Sequence, residues 1–443
     1  MPTQPTRILV LGGGFGGLYA AIELDKQLGG DPNVALTLIN RENFFSFTPM
    51  LHEVAASDLD ITHIVNPLRK MLKRVDFFLG DVERIDVEAK KVTVSHGSDG
   101  HCHDLPYDHL VLGLGSITNF YGLPGLEERA MTMKALGDAI HLRNHIIQNL
   151  EEADTECAQK ACLRGPLMTC VVAGGGFAGV ETIAAVNDFI REALPFYRNL
   201  EHEHVRMVLV HAGPTILPEL SESLGRYALK KLEQRGIEMR LGVRVTGVTD
   251  EGVQLGDGTL IPSKTVVWTA GTAPNPLLEA LPCPKDHGRV VANQFLEVPG
   301  WPGVWAVGDC AVIPDPKTGK PYPPTAQHAL RAGKVLARNI CATIHGKRKQ
   351  PFTFATLGQL AAIGRRTGVA SILGFNFSGF VAWWMWRTIY LMKLPRAEKK
   401  LRVALDWTLD LLFSKDLVQF STYRSPNVTI ASTAKPTTGR AAA

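Results

Sequence analysis

Apolar residues along the chain fall into short solid runs followed by runs at helical spacing. From Arg7 the sequence reads R-I-L-V-L-G-G-G-F-G-G-L-Y-A-A-I-E-L. A β-branched and leucine run, a glycine cluster and then helically spaced apolar positions predict strand, tight turn and helix. A second apolar run, Val34 to Asn40, completes a β-α-β unit. The pattern returns at Met168 to Ala173, which leads into G-G-G-F-A-G-V-E-T-I-A-A-V. After a longer helical stretch comes another strand-like run, Val205 to His211.

Gly12, Gly14 and Gly17 form G-x-G-x-x-G, and Gly174, Gly176 and Gly179 repeat it 162 positions later. One such motif also serves as a plain turn. Two, each between a strand and a helix and each followed by a second strand, point to two dinucleotides. The first glycine permits the turn, the second lets the main chain approach a pyrophosphate, and the third lets helix pack on strand. The helix N-terminus then offers free N–H groups and positive dipole to the phosphates. Two nucleotides in one chain suggest one held permanently and one exchanged. Further on, Trp301 to Ala311 reads W-P-G-V-W-A-V-G-D-C-A, a strand running into Gly308-Asp309. A carboxylate at a strand end beside glycine suits a polyol hydroxyl, although an acid in a turn has the same appearance.

The last section has a different composition. From Gly379 to Arg424 there are eight basic and four acidic residues, which accounts for the whole chain's formal charge of +4. Four of the seven tryptophans (Trp383, Trp384, Trp386, Trp407) fall here. Between Leu401 and Phe413, Arg402, Asp406 and Asp410 repeat at i, i+4 among leucines, giving a narrow polar stripe and a wide apolar face. Tryptophan, flanking lysine and such a helix suit a bilayer interface. The alternative is a helix pair packed on the protein or on a second subunit. No apolar stretch approaches the ~18–20 residues of a spanning helix. Residues 425–443 read as a disordered tail.

With 443 residues the chain has room for two to three domains, and its charge balance is too even to argue for nucleic acid. The seven cysteines are odd in number and lack C-x-x-C, which fits a reducing compartment, and no metal site is expected from their spacing. Only seven residues precede the first apolar run, Ile8 to Leu11, so no signal or transit peptide is expected.

The sequence resembles the type II NADH dehydrogenases, the single-subunit, non-pumping NADH:quinone oxidoreductases. The likeness runs from about Arg7 to about Arg424. It is carried by G-G-G-F-G-G at 12–17, F-T-P-M-L-H-E-V-A at 47–55, D-H-L-V-L-G-L-G-S at 108–116 and G-G-G-F-A-G-V-E at 174–181. V-V-W-T-A-G-T-A-P-N-P at 266–276, W-A-V-G-D-C-A at 305–311, P-T-A-Q-H-A at 324–329 and G-F-V-A-W-W-M-W-R-T-I-Y-L at 379–391 continue it.

The resemblance implies an α/β fold with two Rossmann-like, glutathione-reductase-like dinucleotide-binding domains and a C-terminal amphipathic helical membrane-docking segment. It implies an FAD domain from 1–120 and 285–375, an NAD(P)H domain at 121–284, and a membrane-association segment at 376–424. The implied reaction passes hydride from NADH or NADPH to tightly bound FAD and two electrons on to a membrane quinone. The implied setting is peripheral, on the cytoplasmic face of the inner membrane through residues 379–415, with a possible homodimer.

By the same resemblance, Gly12, Gly14, Phe15, Gly16, Gly17, Asn40, Arg41, Thr48, Val82, Leu114, Gly115, Asp309 and Ala326 would serve FAD. Gly174, Gly176, Phe177, Gly179, His211, Ala270 and Gly271 would serve the nicotinamide nucleotide. Glu181 would lie near both rings, orienting the nicotinamide or relaying a proton, although an acid in a first helical turn is favoured by the dipole alone. Thr325 looks like a helix cap, and Gln327 would donate to the quinone. A second glutamine four residues on is replaced by Arg331, so Arg331 or His328 takes its place in the expected quinone contacts.

Each second strand should end in a ribose-binding carboxylate. Asn40 and His211 stand there instead, with Glu42 near the first. Loss of the acid beside His211, and attraction by a protonated imidazole, would relax discrimination between NADH and NADPH. Disulfide reductases share the two-nucleotide plan but need a cysteine pair early in the FAD domain, and residues 41–60 contain none. Cys157 and Cys162 read as ordinary thiols on an exposed connection. A sulfide:quinone oxidoreductase would need cysteines near the flavin. A non-enzymatic NAD(P)H-sensing flavoprotein is the remaining alternative.

Overall fold

The computed structural model describes residues 5–97, 99–155 and 161–419, with the side chains of 161–163 excepted. Cys157, the Cys162 side chain and the tail at 425–443 lie outside the described residues.

Two parallel five-stranded sheets organise the molecule. The first runs Val304–Ala306, His109–Leu112, β1 (Thr6–Leu11), β2 (Val34–Asn40), Asp76–Leu79. The second runs Met131–Thr132, Thr265–Trp268, β3 (Thr169–Ala173), β4 (Arg206–His211), Ile237–Leu241. The first sheet thus takes a strand from far along the chain, while the second is built from 131–268 alone. β1 and β3 are solid apolar runs because parallel strands are covered on both faces. Ile8, Val10, Leu11, Val171 and Val172 are fully buried.

Each sheet has a three-stranded antiparallel insert before its return strand, at Asp81–Pro106 and at Val245–Pro262. A two-stranded ribbon, Ser116–Thr118 against Thr272–Pro274, joins the two halves.

Helix α1 (Phe15–Leu28) follows β1, and α2 (Phe177–Ala193) follows β3. Helix α3 (Ala326–Ile344) lies along α1, so close that a Cβ on Gly333 would overlap the Gly16 carbonyl oxygen. The chain ends in a meander, Gly358–Ala362, Gly368–Ile372, Phe375–Gly379, then α4 (Phe380–Lys393) and α5 (Ala397–Leu409). Ile372 pairs with Phe375, so the expected boundary at 375/376 cuts a hairpin, and the meander belongs with the helices that follow. No helix among the described residues is long and apolar enough to cross a membrane.

The helix pair has an unusual orientation. Asp406 accepts from the Asp60 amide and pairs with His63, and Asp410 lies 3.6 Å from Arg365 with its side chain 7 % exposed. The two aspartates of the α5 stripe therefore face the protein, while Arg402 is exposed. Leu401, Leu405 and Leu409 face outward, at 73, 55 and 43 % exposure. Of the four tryptophans expected at an interface, only Trp384 is exposed. Trp383, Trp386 and Trp407 are buried, the latter two because their indole N–H groups find buried carboxyl partners.

Candidate functional site

The two glycine loops are built alike. Gly12 and Gly174 have φ of +95° and +124°, a backbone open to glycine alone among common residues. A Cβ on Gly17 would overlap the Gly12 carbonyl oxygen, and one on Gly179 the Gly174 carbonyl oxygen. The third glycine therefore lets each helix start against its own turn. Gly14 has no atom within 4 Å of its ideal Cβ position, and Gly176 has only Glu219 Oε1 at 3.9 Å. The middle glycine of each motif thus borders open space, as a pyrophosphate requires.

A cavity of about 510 Å³ lies between the two sheets. The N-termini of α1 (Gly14, Phe15), α2 (Phe177, Ala178) and α3 (Ala326) all open onto it. Three sets of unpaired N–H groups and three positive dipole ends on one cavity favour an anionic, elongated occupant. On its wall, Lys134 Nζ donates to Ser116 Oγ (2.7 Å), which donates to Asp309 Oδ2 (2.9 Å), with Lys134 3.8 Å from the same carboxylate. This relay offers both donors and acceptors to a polyol. These features fit a dinucleotide such as FAD.

Glu181, His52 and Tyr390 together form part of the cavity wall. Glu181 sits in the first turns of α2. Its Oε1 accepts from the Ala362 amide and from Trp386 Nε1, both at 3.0 Å. Burial nevertheless dominates and raises its pKa to about 8, so the carboxyl holds its proton at neutral pH. His52 Nδ1 lies 3.8 Å from Glu181 Oε2. Burial lowers His52 to about 3, so the contact joins two neutral groups and is no ion pair.

Behind this pair is a small polar cavity of about 30 Å³ shared by His52, Glu53, Asp58, Glu181, Arg387 and Lys415. Burial raises Glu53 to about 8 despite the donor Trp407 Nε1 at 3.1 Å. Lys415 pairs with Asp58 at 2.7 Å and is only 4 % exposed. Arg387 stacks over Trp383 and Trp407 at 4.2 and 4.7 Å. The C-terminal unit is thus keyed to the site by carboxyls on 53, 58 and 181.

Of the expected residues, Gly14, Phe15, Gly16, Thr48, Gly115, Asp309, Ala326, Phe177, Glu181 and Gly271 line the cavity. Gly12, Gly17, Gly174 and Gly179 stand behind it as turn and packing glycines. Arg41 pairs with Asp81 at 71 % exposure, and Val82 lies on the antiparallel insert, away from the cavity lining. Leu114, Gly176 and Ala270 neighbour lining residues without lining it.

Several of the expected residues find partners within the protein. Asn40 accepts from the Gly13 amide (2.8 Å) and donates to the Glu42 carbonyl (2.7 Å). His211 Nδ1 accepts from the Gly175 amide (3.1 Å), the equivalent place in the second unit. Both residues brace a glycine loop through one side-chain atom. Burial also lowers the His211 pKa, against the opposing pull of Glu219, which weakens any attraction of its imidazole for a 2′-phosphate. Finally, Gln327 and Arg331 do not line the cavity. Gln327 donates to the Gly358 carbonyl at 3.3 Å, and Arg331 donates to the Gln327 carbonyl and stacks on Phe354 at 4.1 Å. Thr325 occupies the cap position of α3, but its hydroxyl bonds His328 Nδ1 at 2.7 Å instead of the helix backbone.

Sequence reasoning missed His52, Lys134, Trp386 and Tyr390. The first is in the quoted F-T-P-M-L-H-E-V-A run and the last two in the tryptophan-rich run, but nothing along the chain says they meet. Glu219, beside Gly176, was also missed.

Among the described residues no cysteine lines the cavity. Cys310 is buried behind the wall formed by Gly115, Gly308 and Asp309, Cys170, Cys283 and Cys341 are buried elsewhere, and Cys102 is exposed.

Residues 6–333 match the family model described as pyridine nucleotide-disulphide oxidoreductase, and residues 357–416 match the NDH2 C-terminal domain. A type II NADH:quinone oxidoreductase of Mycobacterium tuberculosis is 32% identical over 430 residues, 94% of this chain and 90% of its own. The fold is similar to that of NDH2 from Plasmodium falciparum, solved in complex with NADH. There the TM-score is 0.87 at 19% identity, over 94% of this chain and all of that one. A sulfide:quinone oxidoreductase from Aquifex aeolicus shares the fold at TM-score 0.67 and 19% identity, over 92% and 94% of the two chains.

Proposed function

The chain belongs to the pyridine nucleotide-disulphide oxidoreductases and, within them, to the type II NADH:quinone oxidoreductases, and on that premise we propose how its residues divide the work. It oxidises NADH and reduces a quinone. The net reaction moves a hydride from NADH and delivers two electrons and two protons to the quinone, so one proton must come from elsewhere. FAD, when bound, supplies the ring that takes hydride on one side and gives up the electron pair on the other.

The α1 and α3 N-termini, Gly14 and Asp309 hold FAD tightly by its phosphates and ribityl chain. The α2 N-terminus and Gly176 hold the pyrophosphate of NADH, which comes and goes. Glu219 places a carboxylate beside this second loop, where it favours a free ribose hydroxyl over a 2′-phosphate, so NADH is the preferred donor. Thr48, Phe177 and Gly271 exclude water around the reacting rings. Glu181 holds a proton at its carboxyl and delivers it towards the quinone. The quinone end is bounded by Pro324, Leu360 and Tyr390, with Gln327 one residue behind the wall.

The outward leucines of α5, with Phe380, Trp384, Met392, Leu412 and Phe413 all more than half exposed, dock the protein on a membrane surface, where a lipid-soluble quinone resides. Among the described residues no cysteine lines the cavity, which disfavours sulfide chemistry. The observation that carries the reading is the convergence of three helix N-termini, two with open middle glycines, on one cavity that a buried protonated carboxyl also lines. Anaerobic stopped-flow tests it. NADH should bleach a bound flavin and a short-chain quinone should restore the colour. A colourless protein that cannot be reconstituted with FAD, or bleaching by sulfide in place of NADH, would overturn it.

A further inference from the structure

Three of the chain's fourteen histidines meet on one hairpin, away from the cavity. Strands Lys91–His96 and His101–Pro106 pair antiparallel, with His96 opposite His101 and Val94 opposite His103. Opposed residues, and residues two apart, share a face of a sheet. The three imidazoles therefore extend the face that carries Val92, Val94 and Leu105. Their ligand nitrogens all lie within 4.8 Å of one another. His96 and His103 are stacked, with centroids 4.9 Å apart and Nε2 atoms 2.8 Å apart. His101 meets the two rings edge-on at 5.6 and 4.7 Å. Phe78 walls the group, 5.7 Å from both His96 and His103. The nearby carboxylates are occupied on the other face, Asp104 by Lys91 and Thr93, and Glu83 by Ser95.

We propose that His96, His101 and His103 form a binding site for a borderline divalent transition-metal ion of the zinc or nickel class, with water completing the coordination. An all-imidazole set suits these ions and offers nothing to magnesium or calcium, which take oxygen ligands. A metal–nitrogen distance of about 2.0–2.1 Å places tetrahedral ligand nitrogens roughly 3.4 Å apart. The His96–His103 pair opens slightly to reach this, and His101 closes in, movements that side-chain torsions at a surface supply. The bound ion ties together two strands otherwise joined by a glycine-flanked turn and stiffens the insert that carries Val82. The H-x4-H-x-H spacing contains no cysteine pair, and only the hairpin register makes it a cluster.

The test is calorimetric titration of the FAD-loaded, chelator-treated full chain with Zn²⁺ and Ni²⁺, with Mg²⁺ as the hard-ion control. One equivalent of Zn²⁺ should bind in the micromolar range or tighter and raise the melting temperature, and Mg²⁺ should not bind. His96→Ala, His101→Ala and His103→Ala should each weaken Zn²⁺ binding about tenfold or more and leave NADH:quinone turnover unchanged. His141→Ala, a surface histidine outside the group, should bind as the parent does. Millimolar or absent binding by the parent overturns the proposal, as does an equivalent that survives His101→Ala and His103→Ala together. Should an alanine variant misfold, His101→Gln provides the same comparison, and the parent titration decides by itself.

Discussion

Replacing Glu181 with glutamine isolates the proton from the shape of the site. Glutamine keeps an oxygen to accept from the Ala362 amide and Trp386 Nε1, now at 3.0 Å each. Its amide faces His52 Nδ1, an acceptor in the Nε2–H tautomer of the neutral ring. The fold should change by no more than about 1 kcal/mol. What disappears is a titratable proton with a pKa of about 8. In the parent, roughly nine-tenths of the carboxyl is protonated at pH 7 and about one-tenth at pH 9, so proton delivery to quinone should fall about tenfold across that range.

The other groups facing it are Glu53, also near 8, Tyr390, raised by burial, and His52, near 3 and silent. The assay is stopped-flow from pH 6 to pH 9.5, separating flavin bleaching by NADH from reoxidation by quinone. Glu181→Gln should slow reoxidation about a hundredfold, flatten its profile and leave bleaching nearly intact. Glu53→Gln should keep the break and move it down, because Glu53 raises Glu181. Unchanged half-reactions in Glu181→Gln, or a break near 8 that persists in it, would refute the reasoning. The same shift affects stability. A carboxyl raised in the folded state contributes fully below its ordinary value near 4.5 and loses that contribution as pH climbs to about 8. The melting temperature should decline over that window, less steeply in the glutamine variant.

Gly14→Ala should fold as the parent does but lose its yellow colour, since the new methyl meets only the cofactor's space; Gly17→Ala should instead destabilise the fold by about 1–3 kcal/mol, read by denaturant melts with and without added FAD. Leu401→Glu with Leu405→Glu should leave the melting temperature unchanged and weaken sedimentation with anionic vesicles by at least tenfold, because two exposed leucines contribute about 1.5–3 kcal/mol each when buried. Lys415→Met should cost about 3–5 kcal/mol by stranding Asp58, and Asp58→Asn on top of it should recover much of the loss in urea melts. Glu219→Gln should narrow the ratio of kcat/KM for NADH over NADPH by about tenfold; an unchanged ratio removes Glu219 from donor choice.

Both glycine motifs and the strands and helices around them were legible because they are local. A β-α-β unit with a tight turn writes its requirements into a dozen consecutive residues, and Gly12 and Gly174 adopt the backbone that only glycine tolerates well. The amphipathic character of α5 was legible for the same reason. Which face would look outward was not. The period gives a polar stripe and an apolar stripe, and Arg365, His63 and the Asp60 amide, all distant in sequence, turn Asp406 and Asp410 inward.

The residues that bound the reacting end were decided by tertiary structure alone. His52, Glu181, Trp386 and Tyr390 come from a short helix, α2 and α4, and their protonation follows from burial that no neighbour in sequence reveals. Asn40 and His211 teach the converse. Their positions were legible, but their side chains were claimed by Gly13 and Gly175. Sequence fixes what the backbone can do over a few bonds, and folding alone determines which polar groups are cut off from water and with whom they must share a proton.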